Sequence, residues 1–417
     1  MTERIFGDRL HQARTLRQRK LADLAERLDC SVPALSKWER AQTVELTAGQ
    51  LSLLTETLRF STGFFSAPPP PPLADNDLLF KAPKGMLKRE AAWLREFVRL
   101  LSELLDWMDE ERHLPPVKIR LISRDYADIS EAARELRATL GLHASAPIDY
   151  LTHAAERAGV VVAVRRRGQA EGGPWPSTVT DLNPDTDPDI NERHEGCSTW
   201  AGEFRERPLI LIRGVAGWEK TRWVLAHELG HLFLHAGRMP VSDESEEQAS
   251  RFASELLAPI EQVVKGLPRV VTLATLLEVK SKWGVSLLAL IRHLHSNAVI
   301  SDQRKGTLYQ QLYTRKNPET GRSYGATEPG WDKYSPERPG LISAWLKYIT
   351  GTTIPEAVSI ANAKFPPDLL ASILNEQRGV ADEGRGAGIR QASAGEVIRL
   401  SDRAPARKPE VRQLRLL

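Results

Sequence analysis

The sequence predicts a mainly α chain with a small β-sheet, an α+β fold, and three observations carry that prediction. Apolar residues recur at the helical period in long runs, above all Leu87 to Arg112, Trp223 to His235 and Ser242 to Pro259. Two short runs, Val160 to Val164 and Leu209 to Ile212, are apolar and rich in β-branched residues, as strands are. Polar stretches rich in proline and glycine separate these runs. With 417 residues the chain can bury more than one core. The expected division is an all-α domain at 1–66, a spacer with a long helix at 67–128, an α+β domain at 129–314, a small helical module at 315–377, and a tail at 378–417.

Composition narrows the class. A hydrophobic fraction of 41% with 27% charged residues is that of ordinary soluble protein. No apolar run approaches the ~18 residues of a membrane span, and the N-terminus lacks the apolar core of a signal peptide, so the chain is expected in the cytoplasm with no membrane partner. Cys30 and Cys197 make no metal or redox spacing and read as reduced thiols. A net charge of +3 permits nucleic-acid binding without requiring it.

From the N-terminus, Ile5 to Leu16 reads as a first helix, and Leu21, Leu24, Ala25 and Leu28 mark a second. Ser31 is the expected N-cap of a third, Val32 to Arg40, and an apolar helix through Leu51, Leu54 and Leu58 follows. Two short helices across a three-residue turn form a helix-turn-helix pattern. Arg9-Leu10, Arg14, Gln18, Leu21-Ala22, Leu28, Cys30-Ser31 and Leu35-Ser36-Lys37-Trp38-Glu39-Arg40 together resemble the Cro and phage-repressor (XRE) class. That resemblance implies a double-stranded DNA operator read by a homodimer. Ser31, Pro33, Ala34, Ser36 and Lys37 would face base edges or phosphates, and Gln18, Arg19 and Lys20 would grip phosphates. The chain departs from the class at Asp29 and Ala41, both usually glycine. With 10 basic and 8 acidic side chains in the first 66 residues, DNA affinity would rest on local clustering, as at Arg14, Arg17, Arg19 and Lys20.

Pro68 to Pro72 can continue neither a helix nor a central strand and read as a stiff spacer. Leu87 to Arg112 then presents an apolar face through Trp93, Leu94, Phe97, Val98, Leu100, Leu101, Leu104, Leu105 and Met108. That face is broad enough to pack a neighbouring element or another copy of the chain, and it is the expected dimer contact. From Ile129 two helices and the strand at Val160 to Val164 follow, then a polar segment from Arg165 to Glu195 of the kind that covers an active site or holds substrate. The strand Leu209 to Ile212 is expected to offer its edge to an extended peptide.

Trp223 to His235 carries His-Glu-x-x-His as His227, Glu228 and His231. Two histidines four apart share one helix face and can reach one metal ion, and the adjacent glutamate can take a proton from an attacking water. His235 continues the spacing, but on an unbroken helix its Cα lies about 12 Å along the axis from that of His227, too far to share the ion. It reads as a packed or solvated residue. A third ligand should come from Ser242 to Pro259, whose apolar stripe is Ala249, Phe252, Ala253, Leu256 and Leu257. At about 100° per residue Glu246 falls beside the middle of that stripe, whereas Glu247 and Glu255 point away.

Gly202 to Arg213, Arg222 to His235 and Glu246 to Pro259 together resemble the ImmA/IrrE family of metallopeptidases, a zincin-like domain. The resemblance implies His227, His231 and Glu246 as metal ligands, Glu228 as general base, and zinc as cofactor, with manganese or iron as alternatives. It also implies a protein substrate of repressor or antitoxin type, cut in trans, or cleavage in cis that separates Met1 to Ser66 from the catalytic part. Ser250 stands where the family often has asparagine or aspartate, so a hydrogen bond from there to a ligand histidine should be weaker or absent. The alternative reading is a non-catalytic transcription factor whose metallopeptidase-like domain senses a ligand or metal. Thr272 to Leu294 should form two helices around Gly284-Val285-Ser286, Leu341 to Leu374 regains helical periodicity, and the basic tail is expected to be disordered.

Overall fold

The computed structural model describes residues 2–73, 78–79, 88–119, 128–165, 196–202, 205–213, 217–235, 241–352 and 365–374. The expectations for 166–195 and for the tail lie outside the described residues.

The N-terminal unit runs β1 (Thr2–Phe6), α1 (Gly7–Leu16), α2 (Leu21–Arg27), α3 (Val32–Arg40), β2 (Thr43–Thr47), α4 (Ala48–Leu58) and α5 (Thr62–Ser66). It is therefore not all-α, and Ile5 opens no helix. β1 and β2 pair antiparallel with Ile5 opposite Val44, which buries Ile5 and Leu46 while their strand neighbours stay largely exposed. Helix α1 begins at Gly7 because it crosses the end of α3 there. A Cβ at Gly7 would lie 2.1 Å from the Trp38 carbonyl oxygen and 2.3 Å from that of Ala41. Ser31 caps α3 as expected, its Oγ accepting from the Ala34 N–H at 3.3 Å. Asp29 holds φ 50°, the left-handed conformation that glycine prefers and a short polar side chain tolerates. Ala41, at φ −77°, needs no glycine. Both departures from the repressor pattern thus fit the backbone.

The proline run is gripped rather than free. Buried Arg9 donates to the carbonyls of Ala67 (3.3 Å) and Pro68 (2.8 Å) while pairing with Glu103, and buried Arg99 donates to the Pro70 carbonyl while pairing with Asp8. The long helix α6 (Lys88–Glu111) buries Phe97, Leu101, Leu104, Leu105 and Met108 in a core shared with α1 and α4. The face expected to meet another copy is filled from within the chain.

A four-stranded sheet joins β3 (Leu78–Leu79), β4 (Val161–Arg165), β5 (Gly196–Ala201) and β6 (Arg207–Arg213) in the order β3-β5-β6-β4. β4 runs parallel to β6, and β5 antiparallel to both β6 and β3. Alternation along the strands divides two cores. Val161, Ala163, Cys197, Leu209 and Leu211 face α6, whereas Val162, Val164, Trp200, Ile210 and Ile212 face a second core. The second core contains α7 (Ile129–Thr139), α8 (Leu151–Arg157), α9 (Trp218–Leu234), α10 (Asp243–Leu257) and α11 (Ile260–Val264). β6, flanked on both sides, has no free edge, so it cannot take the extended peptide expected for it.

Helices α12 (Leu273–Trp283) and α13 (Leu287–Ser296) meet at Gly284 as the sequence predicts, and α14 (Asp302–Thr314) packs on α13. Helices α15 (Leu341–Thr350) and α16 (Pro367–Leu374) complete the α6-side core against β4. Arg17, the C-cap of α1, pairs with Asp368 on α16 at 2.5 Å, tying the end of the first described helix to the last. Among the described residues no helix is long and apolar enough to cross a membrane.

Candidate metal centre

Helix α9 packs against β5 and β6 of the sheet, and α10 packs along α9, where Phe233 meets Phe252 and Gly230 lies against Phe252 and Ala249. This packing aims three side chains at one point. His227 Nε2 and His231 Nε2 lie 3.1 Å apart, and Glu246 places Oε2 3.3 Å from His227 Nε2 and Oε1 3.4 Å from His231 Nε2. Donors about 3.3 Å apart are what tetrahedral bonds of about 2.0–2.1 Å to zinc require. Two imidazole nitrogens so close cannot both carry protons toward each other, whereas two lone pairs can share a cation. The set fits a zinc-type ion: three protein donors leave one of its four tetrahedral positions to another ligand. Burial alone would raise the Glu246 carboxyl, but hydrogen bonds and charge from His227 and His231 hold it well below the glutamate range.

The surrounding shell fixes these donors. His227 Nδ1 meets Ser250 Oγ at 3.4 Å, so the bond expected to weaken is long but present. Trp223 stacks on His227, with centroids 5.1 Å apart. His231 Nδ1 lies 3.1 Å from His235 Nδ1, and His235 Nε2 lies 2.9 Å from Gln248 Oε1. If His231 presents Nε2 to an ion, its Nδ1–H donates to His235 Nδ1, and His235 Nε2–H donates to Gln248. His235 is buried, the packed rather than the solvated alternative, and hydrogen-bonded on both ring nitrogens. It remains outside the three-donor cluster, as its distance along the helix dictates.

Glu228 lies under β5, near enough to His231, His227 and Glu246 to feel their charges. Ser198 Oγ donates to its Oε2 at 2.8 Å, and a Cβ at Gly196 would fall 2.7 Å from its Oε1, so a larger residue there would have to displace the Glu228 side chain. Burial pushes its carboxyl above the ordinary glutamate range, against the opposing pull of His231, His227 and the Ser198 hydroxyl. Ser198 and Gly196 escaped the sequence reading because no spacing shows which strand crosses the helix. Glu247 is exposed, as expected. Glu255 is buried instead, because α13 packs on that flank of α10 and His293 meets it at 3.4 Å.

The residues expected to meet DNA lie on the N-terminal unit, in α3 and in the loop before α2. Lys20, Ser31, Pro33 and Lys37 are exposed, and Gln18, Arg19, Ala34 and Ser36 are half-buried. The expected basic cluster is depleted. Arg14 pairs with Glu39 at 2.5 Å and Arg17 with Asp368, which leaves Arg19 and Lys20.

A helix bearing two histidines and a glutamate, closed by a carboxylate from the next helix beneath a mixed sheet, is the site of a metallopeptidase-like domain. Residues 187–295, about a quarter of the chain, match the family model of the IrrE N-terminal-like domain, which belongs to such metallopeptidases. No match was found among curated proteins.

Proposed function

We propose that the chain is a DNA-binding transcriptional regulator with a zinc-dependent endopeptidase domain. Its substrate would be a repressor or antitoxin-like protein, or the chain itself. The convergence of His227, His231 and Glu246 beside a buried Glu228 carries the reading. A bound zinc ion would supply Lewis acidity toward the scissile carbonyl and the attacking water. Glu228 takes the proton from that water and later returns one to the leaving amine. Ser198 holds one Glu228 oxygen in place and leaves the other to accept. His235 and Ser250 keep the two imidazoles turned toward the common point.

Metal content per chain tests this first. Wild type and Glu247→Gln should hold about one ion, and Glu246→Gln should lose it. Metal-free wild type after zinc or manganese is supplied would leave the chain a non-catalytic regulator. Exposed Lys37 on α3 and exposed Lys20 at the start of α2 support the DNA-binding part. For that part, Lys20→Ala and Lys37→Ala should each lower the salt slope of duplex binding by about one unit, read by anisotropy across a salt series.

A further inference from the structure

Between α14 and α15 the chain runs from Arg315 to Gly340 with no helix or strand beyond one isolated bridge, Lys316 to Ser323. This segment closes on the start of α9, the helix that carries His227 and His231. Tyr334 packs on Trp218 with ring centroids 4.7 Å apart, and the Arg222 guanidinium lies 4.3 Å from the same Trp218 ring. Glu337 is buried beside Arg222, its Oε1 3.6 Å from Nε. Glu328 shares the buried Lys280 ammonium with Glu219, at 3.0 and 2.6 Å. The same two glutamates cap other helices. Glu328 accepts from the Leu287 N–H at the start of α13 (2.9 Å), and Glu337 from the Thr152 N–H in the first turn of α8 (2.7 Å). Glu156 of α8 answers by accepting from the N–H groups of Gly340 and Leu341, both at 2.8 Å.

We propose that this segment is a brace for the metal helix: when seated it holds the first turn of α9 and, through Trp223, the ring of His227, and Glu337 is the positioning residue that seats it. The inference rests on the metal-centre reading above and gives that centre a support from beyond residues 187–295. Helix α9 needs one, because its N-cap, Gly217, offers no side chain to the first-turn N–H groups. In a helix the Trp223 N–H bonds back to Glu219, and the His227 N–H back to Trp223. The Trp223 ring also stacks on His227. Loosening of Trp218, Glu219 and Arg222 is thus one turn from a metal ligand. The brace is seated more by charge than by apolar burial. Its buried residues are Asn317, Glu337, Pro339 and Gly340, and elements with so little apolar contact open at low cost. Arg222 Nε and Glu337 Oε1 are buried without a hydrogen bond, so the two attract by charge, and loss of Glu337 leaves a buried cation uncompensated. By linkage, lifting the brace lowers metal affinity, and a bound metal holds the brace down by the same factor.

The test measures two quantities on the full chain: zinc affinity, by competition with a chromophoric chelator, and amide hydrogen exchange of peptides covering 218–226 and 328–340. Glu337→Gln keeps an acceptor for the Thr152 N–H but removes the charge facing Arg222. It should weaken zinc binding at least about fivefold and speed exchange of 218–226 in the metal-free chain. Tyr334→Ala, at an exposed ring, should shift both in the same direction by less. In wild type, zinc should slow exchange of 328–340. Wild-type zinc affinity in both variants, each folded by circular dichroism, overturns the proposal even if their urea midpoints fall, since that is what a merely structural contact would give. If Glu337→Gln does not fold, Tyr334→Ala decides alone by the same criterion. Wild type that takes up no zinc defeats the metal-centre reading instead. Exchange in the metal-free chains then decides the brace, and unchanged exchange of 218–226 in the folded variants overturns it.

Discussion

One imidazole bonded to another, His235 Nδ1 against His231 Nδ1, decides which nitrogen His231 can offer to a cation. His235→Ala should therefore weaken zinc binding by about 10–100-fold in competition with a chelator, and His235→Asn, which keeps an acceptor near Nδ1, should recover part of it. A role confined to packing would leave the two variants alike. At this scale the sequence was most legible where helical geometry alone decides. His227, His231 and Glu246 are brought together by the angles of two helices, and so could be read from spacing. The spacing of His235 speaks only to its reach toward an ion, whereas its partners are the His231 and Gln248 side chains. Ser198 and Gly196 depend on which strand crosses α9, and that is set by tertiary packing.

Between α10 and α13 sits a buried pair, Glu255 and His293, remote from the three-donor cluster. Burial pushes Glu255 up to about 7, and burial brings His293 down to about 4 despite its bond to the Ala258 carbonyl. Other charges facing the pair include Asp128, Glu261, Arg134 and Arg251. The raised carboxyl binds more protons folded than unfolded, so its contribution is lost as pH rises from about 4.3 through 7. The depressed histidine acts oppositely, its contribution being lost as pH falls from about 6.5 through 4. Above about pH 6.5 only the first operates. The urea midpoint should fall from pH 6.5 to 8 in wild type, and a Glu255→Gln chain should lack most of that fall. Element boundaries such as α3, α6 and the α12–α13 turn were legible because caps and periodicity are local. β1 and β3 were not, since their partners lie at residues 43–47 and 198–199. The face of α6 was legible as apolar, but nothing local distinguishes a neighbour in the chain from a second copy.

At the scale of the whole molecule, one core runs from Leu10 and Leu54 through Phe97 to Leu209 on the sheet and Leu370 on α16. Phe97→Ala, at a fully buried position, should cost about 3–5 kcal/mol. Because the N-terminal helices and one sheet face share that core, calorimetry should show both lost in a single transition rather than two. The Arg17–Asp368 pair spans 351 positions of chain. During synthesis at about 5–20 residues per second, Arg17 therefore waits roughly 20–70 s for its partner to be made. For that interval the N-terminal helices exist without α16 over their core, and a growing chain presents an apolar flank that the finished protein covers. Messages truncated before residue 368 would release proteins with that flank permanently open, which makes the synthesis of α16 a checkpoint for the solubility of the helices made 351 positions earlier.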